Sequence, residues 1–157
     1  MIDPDTFRSV LGRFTSGVTI VTARDRDGGD LGMTVSAFCS LSLEPPMVLL
    51  CVDHAATMHD LLQAHPAFGV SILSSNQEAY SRRFAELESN RFDGIAYERG
   101  ENGVVLLADA LAHLECHVTD HYPGGDHTIF VGEVDRAVPR QGHPLLYYRG
   151  GYALMER

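Results

Sequence analysis

Val18-Thr19-Ile20-Val21-Thr22-Ala23, followed by Arg24-Asp25-Arg26-Asp27-Gly28-Gly29-Asp30, is where the chain declares its fold class. The first six residues are short in span, rich in β-branched side chains and free of helical periodicity, so they read as a strand. Gly28-Gly29 set among charges reads as a hairpin turn, and residues 31–35 return as the second strand. Working back toward the N-terminus, the period changes. Asp3 can cap a helix and Pro4 suits its first position. Phe7, Val10, Leu11 and Phe14 then recur at helical spacing until Gly17.

Working forward, residues 36–42 are small and polar, and Glu44-Pro45-Pro46 stops them. Residues 47–52 are apolar throughout and predict a strand buried on both faces. The spacing predicts a helix over 55–63, a strand over 67–73, and a second helix capped by Ser74 or Ser75 and running to Leu87. Residues 91–103 are mixed, hold three glycines and read as mostly loop. In residues 112–118, Ala112, Leu114, Cys116 and Val118 alternate with His113, Glu115 and His117, predicting one buried and one wet face. Strands over 128–134 and 145–148 complete a mainly β chain with helices, an α+β class. Many short strands with helices between them suggest a closed barrel, which removes exposed edges, although a sandwich has the same composition.

The 157 residues fit one domain spanning 1–157. Twenty-one acidic against twelve basic side chains leave a formal charge of −9, which argues against nucleic acid and anionic membrane surfaces as partners. The longest apolar run is far too short to span a membrane, and residues 1–8 do not resemble a secretory signal. Three cysteines without a paired spacing argue against a disulfide framework and suit a cytoplasmic location.

Five constellations can carry chemistry. Hydroxyls crowd residues 32–46, at Thr34, Ser36, Ser40 and Ser42. They suit a planar ligand, and equally a polar loop ahead of a buried strand. Asp53-His54-Ala55-Ala56-Thr57-Met58-His59 lies where a strand enters a helix, a natural phosphate position, or an ordinary turn capped by Asp53 or Thr57. In Gly124-Gly125-Asp126-His127, Asp126 can set the tautomer of His127 for a ligand contact, or simply stabilise the turn. Tyr147-Tyr148-Arg149-Gly150 with Tyr152 can wall a flat ligand, or form a half-buried terminal strand. His113, Glu115 and His117, with His121 following, can hold a divalent metal, but a solvent-facing strand yields the same pattern.

Read in order, residues 14–22, 32–38 and 40–46, then Gly125-Asp126-His127 and residues 144–148, resemble the short-chain flavin reductases, the reductase components of two-component flavin monooxygenases. The resemblance implies a split β-barrel, a homodimer, and reduction of FAD or FMN by NADH, with NADPH possible. It implies a flavin site at Met33, Thr34, Val35, Ser36, Ala37, Ser40, Leu41 and Ser42. The ribityl chain and phosphate then meet Asp53, His54, Ala55, Ala56, Thr57, Met58 and His59, with Arg83 and Phe84 approaching from a helix. It places the nicotinamide nucleotide at Asp126, His127, Tyr147, Tyr148, Arg149 and Gly150. It implies no metal and no general base, because the cofactors carry the hydride. The partner it implies is a separate flavin-dependent oxygenase. The rival readings are a flavin-binding barrel that holds flavin as a prosthetic group or sensor, a metal enzyme on the histidine strand, and a protein-binding β-domain.

Overall fold

The computed structural model describes residues 1–86 and 89–156. The chain runs through α1 (Pro4–Leu11), β1 (Ser16–Gly17), β2 (Thr19–Arg24), β3 (Asp30–Val35), β4 (Phe38–Leu43), β5 (Pro46–Asp53) and α2 (Thr57–Ala64). It continues through β6 (Ala67–Ile72), α3 (Glu78–Glu86), β7 (Tyr97–Arg99) and β8 (Val105–Leu107). The last elements are β9 (Ala112–Gly124), β10 (His127–Pro139), β11 (Leu145–Tyr148) and β12 (Gly151–Leu154). Seven strands form one antiparallel sheet in the order β3-β2-β6-β9-β10-β5-β4. A smaller sheet has the order β1-β11-β12, and β7 and β8 make a separate ribbon.

The predicted β2–β3 hairpin forms, with a register running from Thr19 opposite Val35 to Arg24 opposite Asp30. The Asp25 carboxylate accepts the amides of Asp27 and Gly29 at 2.9 and 2.7 Å, and Gly28 turns with φ +83°. Inside the curled sheet lie Leu50, Phe68, Val70 and Phe130, all without exposed surface, closed at one end by Met58 and Leu62 of α2. Burying each such side chain contributes about 1.5–3 kcal/mol. A second core joins Ile20, Leu73, Phe84, Leu107 and Leu145 between the sheet, α3 and the small sheet.

Closure is where residue patterning misleads. Among the described residues, β3 and β4 are the two edges of the seven-stranded sheet and do not pair with one another. The architecture is that of a split barrel. Residues 36–42, readable as a polar loop, instead enter β4, an edge strand whose small polar residues suit its exposure. A register shift between Ser40 and Ser42 leaves Leu41 unpaired. Strand β5 is not buried on both faces: Val48, Leu50 and Val52 face the core, while Met47, Leu49 and Cys51 are half-buried.

Other boundaries move for tertiary reasons. Helix α1 stops at Leu11, because Ser16 and Gly17 pair with Tyr147 and Leu146. Its apolar residues stay exposed, Phe7 and Val10 by more than half. The helix end predicted at Leu87 lies outside the described residues. Residues 91–103 are not all loop, since Tyr97–Arg99 pairs with Val105–Leu107. That ribbon covers the face of β9 predicted to be wet, so His113 and Glu115 are 3% and 8% exposed. Glu115 accepts the amide of Asn102 at 2.9 Å, and the Gly100 backbone lies against its carboxylate.

Candidate active site

The end of β5 meets the tip of the β9–β10 hairpin. Asp53 lies opposite His127 in register, and the His54 amide donates to the Asp126 carbonyl at 3.0 Å. Two segments more than seventy residues apart in sequence are thereby one surface. The Asp53 carboxylate accepts the Ala55 amide at 2.8 Å, and the Ala56 amide donates to the Asp53 carbonyl. This turn starts α2, whose cap residue Ala56 offers its first amides no side-chain acceptor. Uncapped amides with the positive end of a helix dipole favour an anion there.

His127 holds Asp126 through Nδ1 at 2.7 Å and is 40% exposed in its side chain. The neighbouring imidazole is what chiefly pulls the Asp126 carboxyl below its ordinary range. The carboxylate takes Nδ1–H, as the sequence reading anticipates, and Nε2 is left to meet a ligand. His59 points the other way. It is buried, with Nδ1 3.0 Å from Asp60 and Nε2 2.7 Å from the Thr128 hydroxyl, and its ring packs edgewise on His54 and Phe130. It braces α2 against β10 and does not face the surface.

Beside α2 opens a cleft of about 800 Å³, bounded by Asp30, Leu31, Gly32 and Met33, by Ala55, Ala56, Thr57 and Met58, and by residues 89–93. Its floor is the free edge of β3. The Arg91 guanidinium donates to the Gly32 carbonyl at 2.6 Å, so the backbone groups of Gly32 point away from β2. Alternation along an edge strand turns those of Thr34 the same way. The Thr34 hydroxyl itself is committed, donating to the Ser81 carbonyl at 2.6 Å. Gly32 must be glycine: a Cβ there would sit 2.8 Å from the Phe84 ring and 3.0 Å from Phe92.

The remaining sequence-predicted residues distribute unevenly. Met33 and residues 55–58 meet in the cleft. Val35 is buried, Ser36 and Ala37 are exposed beyond the end of β3, and Ser40, Leu41 and Ser42 lie on the opposite edge strand β4. Arg83 donates to the Asp93 carbonyl at 2.5 Å, and Phe84 is fully buried with its ring 5.0 Å from that of Phe92. Tyr147 and Tyr148 end β11. Arg149 and Gly150, at φ +53° and +75°, form the two-residue turn into β12, and the Arg149 amide donates to the Gly12 carbonyl. Tyr152 then reaches Ser81 at 2.7 Å under the Arg82 guanidinium. Among the described residues, no hydrogen bond, ion pair or ring contact joins this hairpin to Asp126 and His127.

The histidine strand does not assemble a metal site. His113 faces the Leu107 carbonyl at 2.5 Å and Glu98 at 3.0 Å, and His117 faces Asp135 at 2.8 Å. Among the described residues, no group of three or more His, Cys, Asp or Glu side chains can hold a metal ion. What the sequence reading missed is residues 89–93, of which 91–93 open the stretch read as mostly loop. The available signal was Arg91-Phe92-Asp93 beside turn-forming Asn90 and Gly94, a charged and aromatic loop with no apparent core to serve.

A cleft with a free strand edge and an uncapped helix start suits a flat, phosphate-bearing cofactor. Residues 11–155 match the family model described as Flavin reductase like domain. The chain is 39% identical to an FMN reductase (NADH) of Agrobacterium fabrum, covering 97% of this chain and 86% of that protein. It is 42% identical to the reductase component of a 4-nitrophenol 4-monooxygenase/4-nitrocatechol 2-monooxygenase of Rhodococcus opacus, over 96% of this chain and 80% of that protein. The NADH:FAD oxidoreductase of Streptomyces globisporus C-1027, solved with NAD and FAD fragments, superposes with a TM-score of 0.91 at 41% identity, over 99% and 96% of the two chains. The split sheet, its cleft and this likeness along nearly the whole length place the chain in the flavin reductase-like family.

Proposed function

We propose that the chain, one domain over residues 1–157, is an NADH:flavin oxidoreductase that reduces FAD or FMN and releases it to a separate monooxygenase. The observation that carries this is the cleft between the free edge of β3 and the uncapped start of α2, whose leading turn is tied to the Asp126–His127 tip through the His54 amide. NADPH is the less favoured donor. Flavin bound there would supply the hydride acceptor for the nicotinamide nucleotide.

The chain's own residues bind, orient and exclude water. Backbone groups at Gly32 and Thr34 supply hydrogen bonds to the ring edge, and the amides opening α2 hold the phosphate. His127 Nε2 positions the nicotinamide nucleotide while Asp126 fixes its ring. None of these groups moves a proton, so no paired acid and base are needed. The Tyr147–Gly150 hairpin lies in the other sheet, and a homodimer in which it reaches the partner's His127 completes the nicotinamide site. The exposed apolar residues of α1 and β4, Phe7, Val10 and Leu43 among them, suit burial between two copies. No helix among the described residues is long and apolar enough to cross a membrane, and the three free cysteines suit a reducing cytoplasm.

The test is aerobic oxidation of NADH by purified protein with FMN and FAD added in turn. Turnover that scales with added flavin is expected. Tightly co-purified flavin with negligible NADH oxidation would instead mean a non-catalytic flavin-binding barrel. Sedimentation should give twice the chain mass, and a monomer would remove the shared nicotinamide site.

A further inference from the structure

The tip of the β9–β10 hairpin takes little of its position from a core. Residues 119–126 are exposed, and Gly125 turns with φ +65°. Pro123, opposite Thr128, has no amide to donate. The first buried side chain behind the tip on β10 is Thr128, 4% exposed. It meets His59, 8% exposed, in the first turn of α2, with Oγ1 2.7 Å from Nε2. Among the described residues, this is the one side-chain to side-chain hydrogen bond with both ends buried.

The bond has a set direction. The Asp60 carboxylate can only accept, so Nδ1 of His59 carries a proton, and in the neutral ring Nε2 accepts the Thr128 hydroxyl. Edgewise contacts with His54 and Phe130, at 5.0 and 5.7 Å between centroids, hold the ring plane. The other buried threonines, Thr19 and Thr22, spend their hydroxyls on the main-chain carbonyls of Val35 and Val105. An apolar pair of similar shape would fasten α2 to β10 about as well, because a buried polar pair adds little net stability. What it adds is one fixed distance and orientation.

Both ends of the bond carry a site. His59 lies in the helix turn whose leading amides are assigned to the flavin phosphate. Thr128 follows His127, assigned to the nicotinamide nucleotide. The other ties between these segments are main-chain: Asp53 opposite His127 in register, and the His54 amide on the Asp126 carbonyl. From this we infer that His59 and Thr128 are a positioning pair for hydride transfer, holding the phosphate turn and His127 at one separation so that a single buried bond places both cofactors. Neither side chain faces a cofactor; each acts through the backbone beside it. The inference rests on the flavin reductase reading above.

The test compares Thr128→Val, which removes the hydroxyl and keeps the branched shape, with Thr128→Ser, which keeps the hydroxyl. The KM for NADH should rise about fivefold in Thr128→Val with kcat within about twofold of wild type. Flavin affinity, read by fluorescence quenching without NADH, should fall about threefold, and Thr128→Ser should restore both constants to within about twofold. His59→Leu should act in the same direction, and the double variant should be no worse than His59→Leu alone, because one bond is lost in each. Hydrogen exchange at the His54 amide should be at least about tenfold faster in Thr128→Val, with that of Leu50 in the core unchanged. A lower Tm with both constants and His54 exchange unchanged would reduce the pair to a brace and overturn the inference. So would single-variant effects that multiply in the double variant, or a Thr128→Ser variant as impaired as Thr128→Val. Absence of NADH oxidation by wild type with either flavin would overturn the reductase reading; the pair is then decided by His54 exchange, where an unchanged rate overturns it.

Discussion

His113 and His127 each hold a carboxylate through Nδ1, at 3.0 and 2.7 Å, and the likeness ends there. The side chain of His113 is 3% exposed beneath the β7–β8 ribbon, and its second nitrogen is taken by the Leu107 carbonyl. That of His127 is 40% exposed on a hairpin tip, with its second nitrogen open to a ligand. One pair fastens a ribbon to a sheet, and the other presents a contact. The difference teaches that a histidine–acid pair acquires its role from what covers it.

Removing His113 should give the largest effect. Its loss opens a cavity beneath the ribbon and leaves the Leu107 carbonyl without its imidazole partner, while Glu98 keeps only Arg140, costing about 2–3 kcal/mol. His113→Ala should therefore lower Tm by roughly 5–10 °C in a calorimetric melt, with the KM for NADH unchanged in the protein that remains folded. An unaltered Tm would break the comparison from its structural side. His127→Ala should do the reverse. The KM for NADH should rise about tenfold, equivalent to about 1.4 kcal/mol, with Tm and flavin affinity unmoved. Lost flavin binding at an unchanged KM would break it from the functional side.

The ribbon has a second fastening that sharpens the contrast through pH. Arg99 of β7 forks onto both oxygens of Asp30 at 2.9 Å. That hydrogen-bonded guanidinium holds the Asp30 carboxyl below its ordinary range. A depressed carboxyl stabilises the fold above its unfolded pKa of about 4 and loses that contribution as pH falls through the lower folded value. Arg99 is over a third exposed, so screening limits the pair to about 0.5–1 kcal/mol. Asp30→Asn should show that deficit in urea melts at neutral pH and begin to converge on wild type only as pH falls below about 4. A deficit that persists in acid would mean packing, not charge, holds the ribbon. The smallest effect belongs to a third pair, His117 with Asp135, in which both side chains are more than 40% exposed. His117→Asn should change stability by less than about 0.5 kcal/mol and leave both KM values alone.

Periodicity made the β2–β3 hairpin, the helix containing Met58 and Leu62, and the strand at 145–148 legible, because each buries a face that local spacing encodes. It could not disclose that β9 is covered on both sides. His113 and Glu115 are wet-face residues by type, and only a ribbon formed elsewhere in the chain buries them. The same limit hid the cleft. Asp53 and His127 were both legible as candidates, but their adjacency is a matter of register between β5 and β10. Residues 89–93 carry no spacing at all, and their place beside β3 is fixed by Arg83 on the Asp93 carbonyl and Arg91 on the Gly32 carbonyl.

The free edge of β3 has a consequence for how this protein can vary. If the ring of the ligand is read by main-chain groups at Gly32 and Thr34, the information that selects it resides in strand register and not in the identity of any side chain. A mutational scan of Leu31, Met33 and Thr34 should then be permissive to most replacements that keep the strand in place. It should be intolerant of proline, of any side chain at Gly32, and of single-residue insertions or deletions, which turn the edge over. Such a site tolerates drift in its letters and is fragile to a change in count.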